Sequence, residues 1–175
     1  MNILAIDPGT TETAYVVLVD DEIAEFEKDE NEEVRQRVAQ LLDKKLVDHV
    51  VIEMVKSYGM RVGADIFETC VYIGELKRTA EDRGATVHRM GRKEVVLEVC
   101  RSPRASDGDV IQAMKDRWGE PGTKKTPGAT YGIKDDIWQA LGLATAFKDI
   151  KSRETDLAAA KGHAKVLFPD DEIPF

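Results

Sequence analysis

Cysteine is scarce in this chain: only Cys70 and Cys100 occur in 175 residues. They lack metal-ligand spacing, and two cysteines thirty residues apart fit reduced thiols in a cytoplasmic protein. Both read as small buried hydrophobes. Histidine is as sparse: His49, His88 and His163 stand singly, which argues against a zinc site. No apolar run approaches the ~20 residues of a membrane span, so no membrane contact is expected. The opening MNILAID does not read as a signal peptide, because a charge arrives at residue 7 and no cleavage pattern follows. A GxSxG nucleophile elbow is missing, as are GxGxxG and GxxxxGKS/T, which leaves no serine-hydrolase or nucleotide-loop signature. No internal repeat is visible.

Positive charge is also in deficit. Lys and Arg total 25 against 33 Asp and Glu, a net charge of −8, and that average does not suggest a nucleic-acid binder. The deficit is local, however. Asp20–Glu33 holds nine acids and one lysine, which accounts for the whole imbalance. Met54–Lys134 carries fifteen basic residues against eleven acids. The acidic stretch reads as a solvated hairpin edge.

What is present is an α/β order. Asn2–Ile6 and Ala14–Val19 are apolar runs around DPGTT, which predicts a tight antiparallel hairpin. Ile23–Lys28 alternates as a third strand. Asn31–Lys44 has Val34, Val38, Leu41 and Leu42 at helical spacing behind an Asn cap. HVVIEM (49–54) reads as a strand covered on both faces, interrupted by one glutamate. Ala64–Arg83 is a long helix stopped by Gly84, and Ala85–Arg89 a strand. Gly91–Cys100 and Asp107–Trp118 are helical. Glu120–Gly132 is a loop rich in Gly, Pro, Thr and Lys, and Asp135–Ile150 a helix. Residues 1–150 form the predicted domain, and 151–175 a polar tail ending in FPDDEIPF.

Carboxylates at the ends of apolar elements carry the chemistry. Asp7 follows NILAI, Glu53 sits within HVVIEM, and Asp135 and Asp136 head IWQALGLA. A charge there is costly unless it is paired, metal-bound or near solvent. Each aspartate also has a plainer reading: a helix cap for Asp135 or Asp136, a turn residue for Asp7. Glu53 is harder to explain in such plain terms. Hard divalent cations such as Mg²⁺ take oxygen ligands. Two of them about 3.5–4 Å apart can activate water and stabilise a leaving oxygen in phosphodiester hydrolysis. Such a site takes three or four carboxylates from different elements.

ILAIDPGTTETAYVVL, VVIEMV and KDDIWQALGLA, in this order, resemble the three metal-ligand blocks of RuvC-like Holliday junction resolvases. SYGM before a long helix is closer to the bacteriophage-type members. The resemblance implies an RNase H-like mixed sheet, with three antiparallel strands followed by parallel ones, flanked by helices. It implies a crossover-junction endodeoxyribonuclease of recombination and repair. Two Mg²⁺ or Mn²⁺ ions per site would be held by Asp7, Glu53, Asp136 and, in reserve, Asp135. The family's D-x-x-D aligns with Asp136 and Gln139, so its second acid is replaced here by an amide. Candidate DNA contacts are Lys56, Arg61, Arg89, Arg92, Lys93, Arg101, Arg104, Lys124 and Lys125. By position, Tyr58 and Met60 resemble residues that wedge into a junction centre, with local packing as the plain alternative. Two symmetry-related cuts imply a homodimer, with the apolar helix 64–83 as a candidate interface. A phage-encoded resolvase would work in the cytoplasm of its bacterial host.

The last six residues, Asp170, Asp171, Glu172, Ile173, Pro174 and Phe175, resemble the acidic tip of bacterial single-stranded DNA-binding proteins. That implies docking to replication or repair partners, or occupation of the chain's own basic groove. Two other readings compete. DPGTT also resembles the phosphate loop of actin-like ATPases and kinases, but those need a second phosphate loop, which the sequence lacks. A resolvase fold weakened by Gln139 could instead serve as a DNA-binding adaptor acting through its tail.

Overall fold

Nearly continuous apolar character in β1 (Ile3–Pro8) means burial on both faces, and a computed structural model of the chain places this strand at the centre of a five-stranded sheet. The structure describes residues 1–56, 59, 61 and 63–167, with side chains through residue 160. Strand β2 (Glu12–Val19) pairs antiparallel with β1, and β3 (Glu22–Glu30) antiparallel with β2. After helix α1 (Asn31–Asp43), β4 (His49–Met54) returns parallel to β1 on its other side. Helix α2 (Ala64–Glu81) leads to β5 (Thr86–Gly91), parallel to β4. Helices α3 (Arg92–Cys100), α4 (Asp107–Trp118) and α5 (Ile137–Leu167) follow. The spatial order is β3-β2-β1-β4-β5, three antiparallel strands followed by parallel ones, as the resemblance implies.

Strand side chains alternate between faces, so the sheet builds two cores. Leu4, Ile6, Tyr15, Val17, Val50 and Ile52 pack against α1 and α2. Ile3, Ala5, Ala14, Val16, Leu18 and Val51 pack against α3, α4 and α5. Helix α5 lies on β1 and β2 and also meets α3 and α4, which is why Ile137–Phe147 is apolar almost all round. Gly142 permits that close approach: a Cβ there would sit 3.0 Å from Val110 Cγ1.

Four local expectations are corrected. Asn31 is not the cap of α1; Glu30 holds that position without a side-chain cap bond. Asn31 instead accepts a hydrogen bond from Thr13 Oγ1 at 2.7 Å and donates to the carbonyls of Gly9 and Thr10. It therefore pins the DPGTT turn that follows Asp7. Helix α5 starts at Ile137 rather than Asp135 and runs on to Leu167 rather than ending at Ile150. Residues 151–160 are mostly strong helix formers, and Arg153 ties this extension to Glu98 of α3 by paired bonds of 2.5 and 2.7 Å. His49 and His88 are neighbours in space, with ring nitrogens 3.2 Å apart. The acidic stretch is not simply a solvated edge, because Glu25 and Lys28 are both engaged with the body of the fold. Tyr58, Met60 and the tip 170–175 lie outside the described residues.

Candidate active site

Sheet register brings the first carboxylates together. Asp7 aligns with Ala14 and Ala14 with Lys28. Glu53 aligns with Met90. Asp7 and Glu53 each stand one residue past the aligned pair Ile6 and Ile52. Partners in register share a face, so Lys28, Ala14, Asp7, Glu53 and Met90 form one row beneath α5. Ala14 is small, which leaves the space between Asp7 and Lys28 open to a third group. That group is Asp136.

Asp136 immediately precedes α5. Its carbonyl accepts from the amides of Gln139 and Ala140 at 2.9 and 3.0 Å, which caps the helix through the backbone. Its carboxylate is thereby left to reach Lys28 Nζ at 2.9 Å. This bond raises the Lys28 ammonium above its usual range. Asp135 is exposed and adopts a left-handed backbone with φ 45°, a conformation that short polar residues tolerate best. The two aspartates are thus separated by the backbone and do not lie on consecutive helical positions.

Burial and crowding of like charge dominate the electrostatics. Asp7 is pushed up to about 8, first by burial, then by Glu53 and Asp136, with Asp107 adding to both, while Arg92 opposes. Glu53 is raised by burial, with Arg92 again opposing. Among the described residues its Oε2 is buried without a hydrogen-bond partner, and Arg92 Nη1 is 3.8 Å away. Arg92 is drawn instead to Asp107 in the first turn of α4. Gln139 Oε1 is also buried and unpartnered, at the position where the aligned pattern has an acid.

Two participants escaped the sequence reading. Lys28 looked like one charge in an acidic run, and Asp107 was only the first residue of a helical segment. No local signal marks either, because sheet register decides the first and helix packing the second.

The basic candidates are spread around this row. Lys56 lies across Gly91 and pairs with Glu94 at 3.3 Å; a Cβ on Gly91 would come within 2.6 Å of Lys56 Cε. Arg89 aligns with Ile52, so it belongs to the opposite face from Glu53. Arg61, Lys93 and Arg104 are exposed, and Arg101 pairs with Glu98. Lys124 and Lys125 form the tip of a tight turn closed by reciprocal backbone bonds between Thr123 and Thr126. The turn is therefore a braced projection shortly before Asp136.

The donor set suits a hard divalent cation. It is all oxygen, it concentrates negative charge, and it includes a buried carboxylate oxygen with no partner. Among the described residues, no three His, Cys, Asp or Glu side chains close around one point as they stand. The carboxylates are gathered but not closed.

The fold defined by this sheet and helix order is that of RuvC and the RNase H-like proteins. The chain is similar to the structure of Thermus thermophilus RuvC, with 18% identity, a TM-score of 0.66, and coverage of 83% of this chain and 92% of that one. It is equally similar to T. thermophilus RuvC in complex with a Holliday junction substrate, with 17% identity, a TM-score of 0.68 and the same coverage. The yeast mitochondrial Holliday junction resolvase Ydc2 matches at 11% identity and a TM-score of 0.53, over 82% of this chain and 76% of that one. No family model matches the sequence. No curated protein matches it. No helix among the described residues is long and apolar enough to cross a membrane.

Proposed function

We propose that this chain is a divalent-metal-dependent endodeoxyribonuclease that resolves four-way (Holliday) junctions or related branched DNA. The observation that carries the reading is the buried carboxylate row Asp7–Glu53 with Asp136 above it, on the fold of a protein solved with a Holliday junction substrate. Asp7, Glu53 and Asp136 would hold Mg²⁺ or Mn²⁺, two per site, with Asp135 in reserve. Bound there, the cations supply Lewis acidity that activates water and offsets charge on a phosphodiester.

The chain's own residues have separate tasks in this reading. Asp7, pushed up to about 8 by burial and by Glu53 and Asp136, is a carboxylate whose charge a bound cation would stabilise. Arg92, shared between Asp107 and Glu53, offers a guanidinium to a DNA phosphate at the site. Lys124 and Lys125 present two ammonium groups to the backbone from their braced turn, and Lys56, Arg61, Lys93 and Arg104 extend the basic surface. Arg89 contacts DNA only where the duplex wraps to the far face. Tyr58 enters the junction centre.

Two cuts call for a homodimer. Phe67 and Val71, four residues apart on α2, are 60% and 61% exposed and form an apolar stripe suited to a second copy. The tip 170–175 docks replication or repair proteins, and the protein acts in the cytoplasm of a bacterial cell, a phage-infected one if the gene is viral.

The test is cleavage of a synthetic four-way junction with Mg²⁺ or Mn²⁺, wild type beside Asp7→Asn. Cleavage by wild type alone is expected. A wild type that never cuts overturns the nuclease, and an active Asp7→Asn overturns the site. If deleting residues 170–175 alters neither partner pull-down nor junction binding, the docking tip is wrong. Gln139 in place of an acid favours a second reading, a DNA-binding adaptor with weak or no cleavage. Tight junction binding without cutting would select it.

A further inference from the structure

Lys28 is the single basic residue among the nine acids of Asp20–Glu33, and sheet register turns it toward the carboxylates. Its Nζ lies 2.9 Å from Asp136 Oδ2 and 3.4 Å from Glu12 Oε2. Glu12 is two residues before Ala14 on β2, so it shares the face of the row and stands at its outer side. One ammonium group thus serves two carboxylates, one inside the site and one outside.

We propose that Lys28 is a positioning residue that holds Asp136 in the metal-free site and passes to Glu12 when a divalent cation enters. This rests on reading Asp7, Glu53 and Asp136 as the cation site. Three physical features favour a transfer. Exposed ion pairs are weak, and with Lys28 and Asp136 side chains 24% and 56% exposed, their bond can orient the carboxylate yet yield to a dication. Lysine is a compact charge on a flexible stem, so it can exchange partners without losing a fixed bidentate geometry. The helix dipole also acts: the positive end of α5 at Asp136 opposes any cation, and a dication held by Asp7 and Glu53 as well as Asp136 can overcome it. Within the site Lys28 leans on Asp136 alone, and it meets no such opposition at Glu12 on its strand. Lys28 is therefore held at Asp136 by the carboxylates alone, and loses that hold once their charge is taken up.

The experiment uses the full chain without DNA and follows Mn²⁺ binding by thermal stability and by Trp138 fluorescence, since Trp138 is the second residue after Asp136. Lys28→Met, with Lys28→Gln as a polar control, should bind Mn²⁺ about two- to fivefold more tightly, the size set by an exposed ion pair. Glu12→Gln should bind it about two- to fivefold more weakly, because Lys28 loses its outer partner. In the double variant the Glu12 effect should vanish. Unchanged affinity in both Lys28 variants overturns the proposal. So does a Glu12 effect that persists without Lys28, since Glu12 would then act on the cation directly. A wild type that binds no Mn²⁺ overturns the cation site itself, and is told apart because it needs no variant.

Discussion

Glu25 and Glu53 sit on one sheet and meet opposite conditions. Glu25, on β3, accepts hydrogen bonds from Tyr15 Oη at 2.6 Å and from two nitrogens of Arg37. The Arg37 bonds, followed by that of Tyr15, hold its carboxyl below the usual range. Glu53, on β4, has a buried oxygen with no hydrogen bond and is raised by burial. The first is a satisfied ion pair that contributes to the fold. The second is a charge held at a cost, and such a cost persists where function needs it. The contrast separates a structural carboxylate from a candidate ligand without reference to any relative.

The largest expected effect tests the ligand side. Asp7→Asn should lower junction cleavage by over about 10²-fold, as loss of cation-based charge stabilisation implies. Gel assays at saturating metal check it, and Glu25→Gln should cut at near wild-type rate. Next comes stability. Glu25→Ala leaves the nearly buried Tyr15 hydroxyl and Arg37 without their acceptor, and should cost about 1–2 kcal/mol after allowance for solvent screening. Denaturant unfolding measures it.

The pH responses should run in opposite directions. Asp7 is raised from 3.8 to about 8, so the folded state binds the extra proton. Its contribution is full below about 4 and is lost as pH rises toward 8. Metal-free Asp7→Asn should therefore lose less stability than wild type over that window. Glu25 is lowered, so its contribution is present above 4.5 and is lost as pH falls through its folded value. Glu25→Gln should show a shallower acid limb. Melting temperatures across pH 3–9 read both, at about 2–4 °C per kcal/mol for a chain of this size. The smallest effect is at Gln139, 9% exposed with an unpartnered oxygen. Gln139→Leu should change stability by less than about 1 kcal/mol, since an orphan acceptor is removed with its desolvation cost.

Much of this was legible beforehand. The strands, their hairpin and the α/β order follow from apolar runs and turn residues, and Asp7 and Glu53 stand out because a charge ends or interrupts an apolar strand. Asp136 was preferred over Asp135 by alignment alone; the structure adds that only Asp136 is bonded to Lys28 and felt by Asp7. The far half of α5 was missed because its polar residues carry no apolar period and are anchored by Arg153 to a distant helix. Asn31 was misread because a cap and a turn brace use the same side chain, and only the neighbouring loop selects between them.

By itself the sequence determined the α/β order, the two-faced burial of β4, and the standing of Asp7 and Glu53 as charges on apolar strands. Those properties are written in hydrophobic period and in the cost of a lone charge on an apolar strand. The tertiary structure alone decided that Lys28 and Asp107 join them, that Asp135 stands apart, and that burial and neighbouring carboxylates push Asp7 upward. Each of these depends on distances across the sheet or between helices, and electrostatic energy is set by separation in space rather than along the chain.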